Sequence, residues 1–158
     1  MKLKDKKVLV LGMGISGTGT VDLLERQGAK VVVGEIKNTA EMQVKAKELE
    51  GRGIKVHLGP HPLHLLDHQD LIVPSPGISL DILLLQRAKD KGISIIGELE
   101  LASRFIKDTS LVAITGTNGK TTTTFLTGQI LKRARGDVEV AGNIGTSLSG
   151  VVQKNPPS

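Results

Sequence analysis

Hydrophobic positions along this chain fall into short, unbroken aliphatic runs separated by longer stretches in which apolar residues recur at helical spacing. Lys7-Val8-Leu9-Val10-Leu11 is the first run, and its lack of polar alternation predicts a strand covered on both faces. Residues 16–27 then read as a helix closed by Gly28, and Val31-Val32-Val33 as a second strand. A charged helix over 39–50 ends at Gly51 and Gly53, before a short strand at Ile54-Lys55-Val56. Asp70-Leu71-Ile72-Val73 is the fourth strand, stopped by Pro74-Ser75-Pro76-Gly77. Residues 81–91 read as a helix and 93–96 as a fifth strand. Strands alternating with helices predict an α/β fold: βαβ units around a Rossmann-like, doubly wound parallel sheet.

The pattern restarts after Gly97. A helix is expected from Glu98 to about Phe105, a strand over 110–114, a long helix over 120–133 and a strand over 138–141. A glycine loop between the strand at 110–114 and its helix predicts the start of a P-loop ATPase domain. Such a unit needs more parallel strands than the residues after 110 supply. Residues 1–97 are therefore read as one complete domain and 98–158 as a partial second one. The stretch from Gln153 to Ser158, with two prolines, is expected to be irregular.

Composition narrows the chemistry. Glycine makes up 19 of 158 residues, which directs attention to turns where backbone approaches a ligand. Phe105 and Phe125 are the whole aromatic set, against a base-stacking platform for single-stranded nucleic acid. With no cysteine, thiolate metal sites and cysteine nucleophiles are excluded. No run approaches the length of a membrane span, and the basic start lacks a cleavage pattern, so neither signal peptide nor transmembrane helix is expected. A net charge of +5 suits anionic ligands, nucleotides included.

Gly12-Met13-Gly14-Ile15-Ser16-Gly17 matches G-x-G-x-x-G, follows a strand and opens a helix, and Glu35 ends the next strand. Gly12 permits the tight turn, Gly14 lets backbone approach a diphosphate and Gly17 lets helix and sheet pack closely. The helix N-terminus adds free N–H groups and partial positive charge. These residues establish a diphosphate-sized anion site. They leave open which nucleotide fills it, and a nicotinamide-dinucleotide-binding redox or regulatory domain is one reading.

Thr115-Gly116-Thr117-Asn118-Gly119-Lys120-Thr121 again follows a predicted strand and opens a helix. Backbone N–H groups would cradle phosphate, Lys120 would reach the β- and γ-phosphates, and the Thr121 hydroxyl would bind Mg²⁺. The general P-loop pattern asks for glycine at position 114, where this chain has Ile114.

That departure, with threonine ahead of the first loop glycine, resembles the ATP loop of the Mur ligases and the folylpolyglutamate synthetases. These ATP-dependent enzymes join a carboxylate to an amine through an acyl phosphate. Three further pieces carry the resemblance to the Mur ligases: Ser75-Pro76-Gly77-Ile78 after the fourth strand, Gly97-Glu98-Leu99-Glu100-Leu101, and Gly142-Asn143-Ile144-Gly145. The folate enzymes lack an N-terminal Rossmann-like domain and fit less well. Within the Mur ligases the resemblance is closest to the branch that adds D-glutamate to UDP-N-acetylmuramoyl-L-alanine in peptidoglycan synthesis. It covers a UDP-binding first domain and the opening of a central ATPase domain.

The resemblance implies that the first loop holds the UDP diphosphate, with Gly14, Ile15, Ser16 and Gly17 near the nucleotide. Glu35 and Lys37 would border the uracil pocket, where family members often carry Asp-Thr-Arg and this chain has Glu35-Ile36-Lys37. Ser75, Pro76 and Gly77 would form a stiff turn beside the same nucleotide, and Asn143 would lie near the diphosphate and sugar. Gly116, Thr117, Asn118, Gly119, Lys120, Thr121 and Thr122 would serve ATP. Lys120 and Thr121 would take the catalytic part, by electrostatic stabilisation and by holding Mg²⁺. The implied protein is a cytoplasmic, monomeric ligase acting on UDP-N-acetylmuramoyl-L-alanine and D-glutamate, without nucleic-acid or membrane partners. This chain alone is expected to be inactive.

Two other features read as structural. His57, His61, His64 and His68 fall in one window, but Pro60 and Pro62 interrupt any common helical face, so they read as structural or solvent-exposed. Lys132-Arg133-Ala134-Arg135 reads as a solvated helix end, where cations meet the helix dipole favourably.

Overall fold

A computed structural model of the chain describes residues 1–107, 109–142 and 145–154. Five parallel strands form one sheet among the described residues: β1 (Lys7–Leu11), β2 (Lys30–Glu35), β3 (Lys55–Leu58), β4 (Leu71–Pro74) and β5 (Ser94–Ile95). Their order is β3-β2-β1-β4-β5, with Val8 opposite both Val31 and Leu71, and Leu11 opposite Gly34 and Pro74. The chain winds outward from β1 in one direction and then, after β3, returns to its other side. That reversal leaves a crevice at the carboxyl ends of β1 and β4, where open α/β sheets take their ligands.

Both faces of the sheet are covered, as the unbroken aliphatic runs require. Val8, Val10, Val31, Val33, Leu71 and Val73 pack on one side. There they meet Val21 and Leu24 of α1 (Ile15–Arg26) and Ala46 and Leu49 of α2 (Ala40–Gly51). Leu9, Leu11 and Ile72 point the other way, onto Leu84, Leu85 and Ala88 of α3 (Leu83–Asp90) and onto Leu65 and Leu66. The last two belong to a short 3₁₀ helix, Leu63–Leu66, that replaces a full helix in the β3–β4 crossover. Helix α2 starts at a side-chain cap, Thr39 Oγ1 accepting from Met42 N.

Three helices follow β5: α4 (Glu98–Ser103), α5 (Lys120–Arg135) and α6 (Leu148–Lys154). Leu101, Ala102 and Phe105, in and just after α4, and Val152 of α6 belong to the same core as α1 and α2. The helix expected over 120–133 is α5, two residues longer. The strands expected over 110–114 and 138–141 are not formed, and Leu111 and Val112 are 58% and 62% exposed. A strand exists only where a neighbour takes up its N–H and C=O groups, and among the described residues none adjoins these runs. Helix α6 has no counterpart in the hydrophobic pattern, and it extends through Gln153 and Lys154, where the sequence predicts irregular chain. Its small residues, Ser149 and Gly150, carry no helical hydrophobic period. Asn143, Ile144 and the residues from 155 on lie outside the described residues.

Candidate functional site

The first glycine loop hangs from the carboxyl end of β1, and Gly12 N donates to Gly34 O at 2.7 Å, tying it to β2. Gly12 has φ +94°, a left-handed conformation that side chains disfavour. At Gly17 an added Cβ would lie 1.9 Å from Gly12 O, so loop and helix meet at a distance only glycine permits. Helix α1 begins at Gly14 with no side-chain cap and no acidic residue in its first turn. Its first N–H groups therefore keep their hydrogen-bonding capacity and their share of the helix dipole. Around Gly14 there is open space, and Ile15 is 61% exposed.

Glu35 is buried, and its carboxylate faces the loop. One oxygen accepts from Met13 N and the other from Lys37 N, each at 2.8 Å. The carboxylate thereby joins the glycine loop to the turn after β2. Ile36 and Lys37 stand exposed beyond it.

On the other flank, Ser75 N donates to Leu11 O at 2.8 Å, continuing the β1–β4 ladder past its end. The Ser75 hydroxyl lies under the loop, 2.8 Å from where a Gly12 Cβ would be, and its buried oxygen has no hydrogen-bond partner among the described residues. Pro76 and Gly77 are exposed beside it. Ser75, Pro76, Gly77, Ile78 and Gly97 help to line a shallow cleft of about 220 Å³. Gly14, Ile15, Ser16, Gly17, Glu35, Ser75, Pro76 and Gly77 are thus gathered at the ends of three adjacent strands.

The second loop stands apart and open, with residues 115–123 exposed. Gly119 caps α5 at φ +75°, again without a side-chain cap or a first-turn acid. Helix α3 is uncapped as well, but Ile82 precedes it and no glycine loop opens it. The Lys120 ammonium folds back onto the carbonyl oxygens of Gly116 and Thr117. It must leave them to reach a bound anion. Thr121 and Thr122 lie in the exposed first turn, and Lys132, Arg133 and Arg135 in the last.

The histidine window packs near this end of the sheet. His57 Nε2 lies 2.8 Å from Pro60 O, and the His57 and His64 rings meet edge to face with centroids 6.5 Å apart. The His61 ring lies over Gly34, and its buried Nδ1 has no partner among the described residues. Burial, and secondarily the nearby His57, push the His61 imidazole below its usual range, with Glu35 opposing. Among the described residues no group of three or more histidine or carboxylate side chains is placed to hold a metal ion. Nor is any helix among them long and apolar enough to cross a membrane.

One residue absent from the sequence reading of the site is Glu98. It is 3% exposed, and its Oε1 accepts from Ser149 N at 2.7 Å. The resemblance carried by residues 97–101 assigns it no contact, because its partner lies 51 positions away.

Comparison with known proteins gives matches on both sides of this arrangement. Residues 6–97 match the Mur ligase MurD-like N-terminal domain, and residues 114–157 the Mur ligase middle domain. A UDP-N-acetylmuramoylalanine–D-glutamate ligase of Acidobacterium capsulatum is 48% identical over 152 residues, which are 96% of this chain and 33% of that protein. The ligase of the same name from Ligilactobacillus salivarius is 48% identical over 155 residues, 97% of this chain and 33% of its own length. The chain spans about a third of the length of these curated relatives. Among solved structures, a pseudomurein peptide ligase type C from Methanothermus fervidus matches at TM-score 0.52 and 30% identity, over 83% of this chain and 27% of that one. A UDP-N-acetylmuramate–alanine ligase from Thermotoga maritima matches at TM-score 0.51 and 28% identity, over 82% of this chain and 30% of that one.

Proposed function

This chain belongs to the Mur ligase family, and from that premise we propose that it is the nucleotide-binding part of an ATP-dependent ligase joining D-glutamate to UDP-N-acetylmuramoyl-L-alanine. In this reading UDP lies on the first glycine loop and ATP on the second. Residues 1–97 would form the UDP-binding domain and 98–158 open the ATPase domain, with α4 and α6 of the second part packing on the core of the first. Relatives carrying that ligase's name, at 48% identity, support the substrate assignment.

The observation that carries the UDP reading is the orientation of Glu35. In a dinucleotide site the acid at the end of the second strand presents its oxygens to a ribose hydroxyl. Here the carboxylate is buried and each oxygen already accepts a backbone N–H group at 2.8 Å, so Glu35 is engaged in shaping the loop. The diphosphate would take the uncapped turn of α1 at Gly14, Ile15, Ser16 and Gly17, with open space above Gly14 to receive it. Ser75 offers a hydroxyl with unused hydrogen-bonding capacity, and Pro76 and Gly77 an exposed, stiff backbone. Lys37, exposed past the Glu35 turn, would border the base, and Asn143 is assigned to the diphosphate and sugar by resemblance alone.

At the second loop the uncapped α5 turn fits a phosphate in the same way. Gly116, Thr117, Asn118 and Gly119 would wrap it, and Lys120 would exchange its two carbonyl partners for phosphate oxygen. Thr121 and Thr122 supply hydroxyls there. A single hydroxyl holds no Mg²⁺ by itself, so Mg²⁺ would arrive shared with the phosphates. When bound, ATP would supply the phosphoryl group that activates the substrate carboxylate.

Isothermal calorimetry of the 158-residue chain with UDP and with NADH tests the first site. UDP binding without NADH binding is expected. NADH binding without UDP binding would replace this reading with the redox alternative.

A further inference from the structure

Glu98 is a charged residue where its surroundings favour apolar ones. One turn on, Leu101 and Ala102 fill the same interface and are 0% exposed. A buried carboxylate carries a desolvation penalty unless it is well hydrogen-bonded, and a hydrophobic residue of similar size is often as stabilising or more so. What Glu98 gains is specific. Its Oε1 accepts the N–H of Ser149 at 2.7 Å, in the first turn of α6, where backbone donors lack partners within the helix. The neighbouring donor, Gly150 N, is taken by Ser147 Oγ at 3.1 Å. One end of α6 is thus held by a side chain of its own and by a second from 51 positions earlier.

In the chain the contact brackets the second loop, and in space it lies beside α1, the helix that the first loop opens. Ser147 and Ser149 are 2% and 0% exposed. A Cβ on Gly19 of α1 would fall 2.3 Å from Ser147 Oγ and 3.2 Å from Gly150 N, so α6 rests directly on the helix that the first glycine loop opens. Glu98 also lines the cleft shared with Ser75, Pro76 and Gly77. Between Glu98 and Ser149 the chain makes an excursion that carries the second phosphate loop and α5, with Leu126 and Ile130 of α5 exposed. The hydrogen bond closes that excursion at its base.

We propose that Glu98 is a positioning residue: its carboxylate clamps the start of α6 onto α1 and α4, and so sets where the segment bearing the second phosphate loop stands relative to the first nucleotide site. Val152 and Leu148 supply apolar packing for α6, and the close approach at Gly19 fits Ser147 and Gly150. A single charged acceptor aimed at one N–H then fixes its register.

Amide hydrogen exchange on the 158-residue chain, read residue by residue by NMR, tests the clamp. In the unaltered chain the Ser149 amide is expected to be strongly protected and shifted downfield, as for a donor to a carboxylate. A Ser149 amide that exchanges as fast as those of the exposed residues 120–123 overturns the proposal without any variant. Glu98→Met keeps bulk and removes the acceptor, and it is expected to speed exchange over 148–152 by about 10- to 100-fold while β1 and β4 stay protected. Glu98→Gln restores an acceptor oxygen and is expected to recover part of that protection. Exchange in Glu98→Met equal to that of the unaltered chain, or no better in Glu98→Gln than in Glu98→Met, refutes the clamp.

The consequence for the first site rests on the UDP reading and is measured separately, by UDP calorimetry on the same three chains. Glu98→Met is expected to weaken UDP about tenfold, within the usual range for coupling between sites. Equal UDP affinity with and without the acceptor removes the link to that site. Failure of the unaltered chain to bind UDP overturns the UDP reading, and exchange then decides the clamp on its own.

Discussion

At Gly17 an added Cβ would lie 1.9 Å from the carbonyl oxygen of Gly12, whereas at Gly14 it would meet nothing within 4 Å. The two glycines of one motif therefore stand in different surroundings, close packing at the first and open space at the second, which the proposed reading gives to the ligand. Gly17→Ala is expected to lower the unfolding free energy by about 3 kcal/mol, because backbone cannot yield as a flexible side chain does. Gly14→Ala should stay within about 1 kcal/mol of the parent in the same urea titration, yet weaken UDP binding by about tenfold or more. Glu35→Gln turns an amide N–H₂ toward one of two backbone donors and is expected to cost about 2–3 kcal/mol, again by urea denaturation. His61 gives a pH signature. Burial holds its folded-state pKa below the ordinary 6.5, so between those values the unfolded chain binds more protons than the folded one. Stability is full above pH 6.5 and declines as pH falls through 6.5 toward the folded value. In thermal melts across that range, His61→Gln should flatten this part of the curve.

Between the secondary-structure elements the contrast is in coverage. Strands β1 and β4 bury side chains on both faces, while on the 16-residue α5 only Gly128 is buried. Helices draw most of their stability from a packed face rather than from propensity. The threonine run from Thr121 to Thr124 adds little of its own. Amides of α5 are accordingly expected to exchange markedly faster than those of β1 and β4, and equal protection would show that α5 is held by more than the contacts described. The same logic explains which elements were legible beforehand. β1, β2 and β4 announced themselves as aliphatic runs, and α1 and α5 by the glycine loops that open them. α6 did not, because its order comes from Glu98, Gly19 and Ser147 rather than from its own pattern. The runs at 110–114 and 138–141 have strand composition but no adjoining strand among the described residues, and composition without a partner yields no ladder.

For the whole molecule, one well-covered sheet carries a less covered appendage. Leu111, Val112, Phe125, Leu126 and Ile130 are each more than half exposed, beyond the scattered apolar residues normal on a protein surface. The chain is expected to bind a hydrophobic dye such as ANS in its folded state. The double substitution Phe125→Lys with Ile130→Lys should reduce that binding while leaving the urea midpoint of the sheet unchanged. The hydrophobic pattern by itself determined the parallel α/β architecture, because residues covered on both faces must be apolar throughout. It also determined the two glycine loops, because a tight turn and a close approach restrict the residue type at each place. Only the tertiary structure decided three other points: that Glu35 turns its carboxylate onto the loop, that Ser75 lies beneath Gly12, and that Glu98 reaches Ser149. The physical reason is shared. Each of these contacts joins residues distant in the chain, and a contact between such residues leaves no periodic trace in the sequence around either of them.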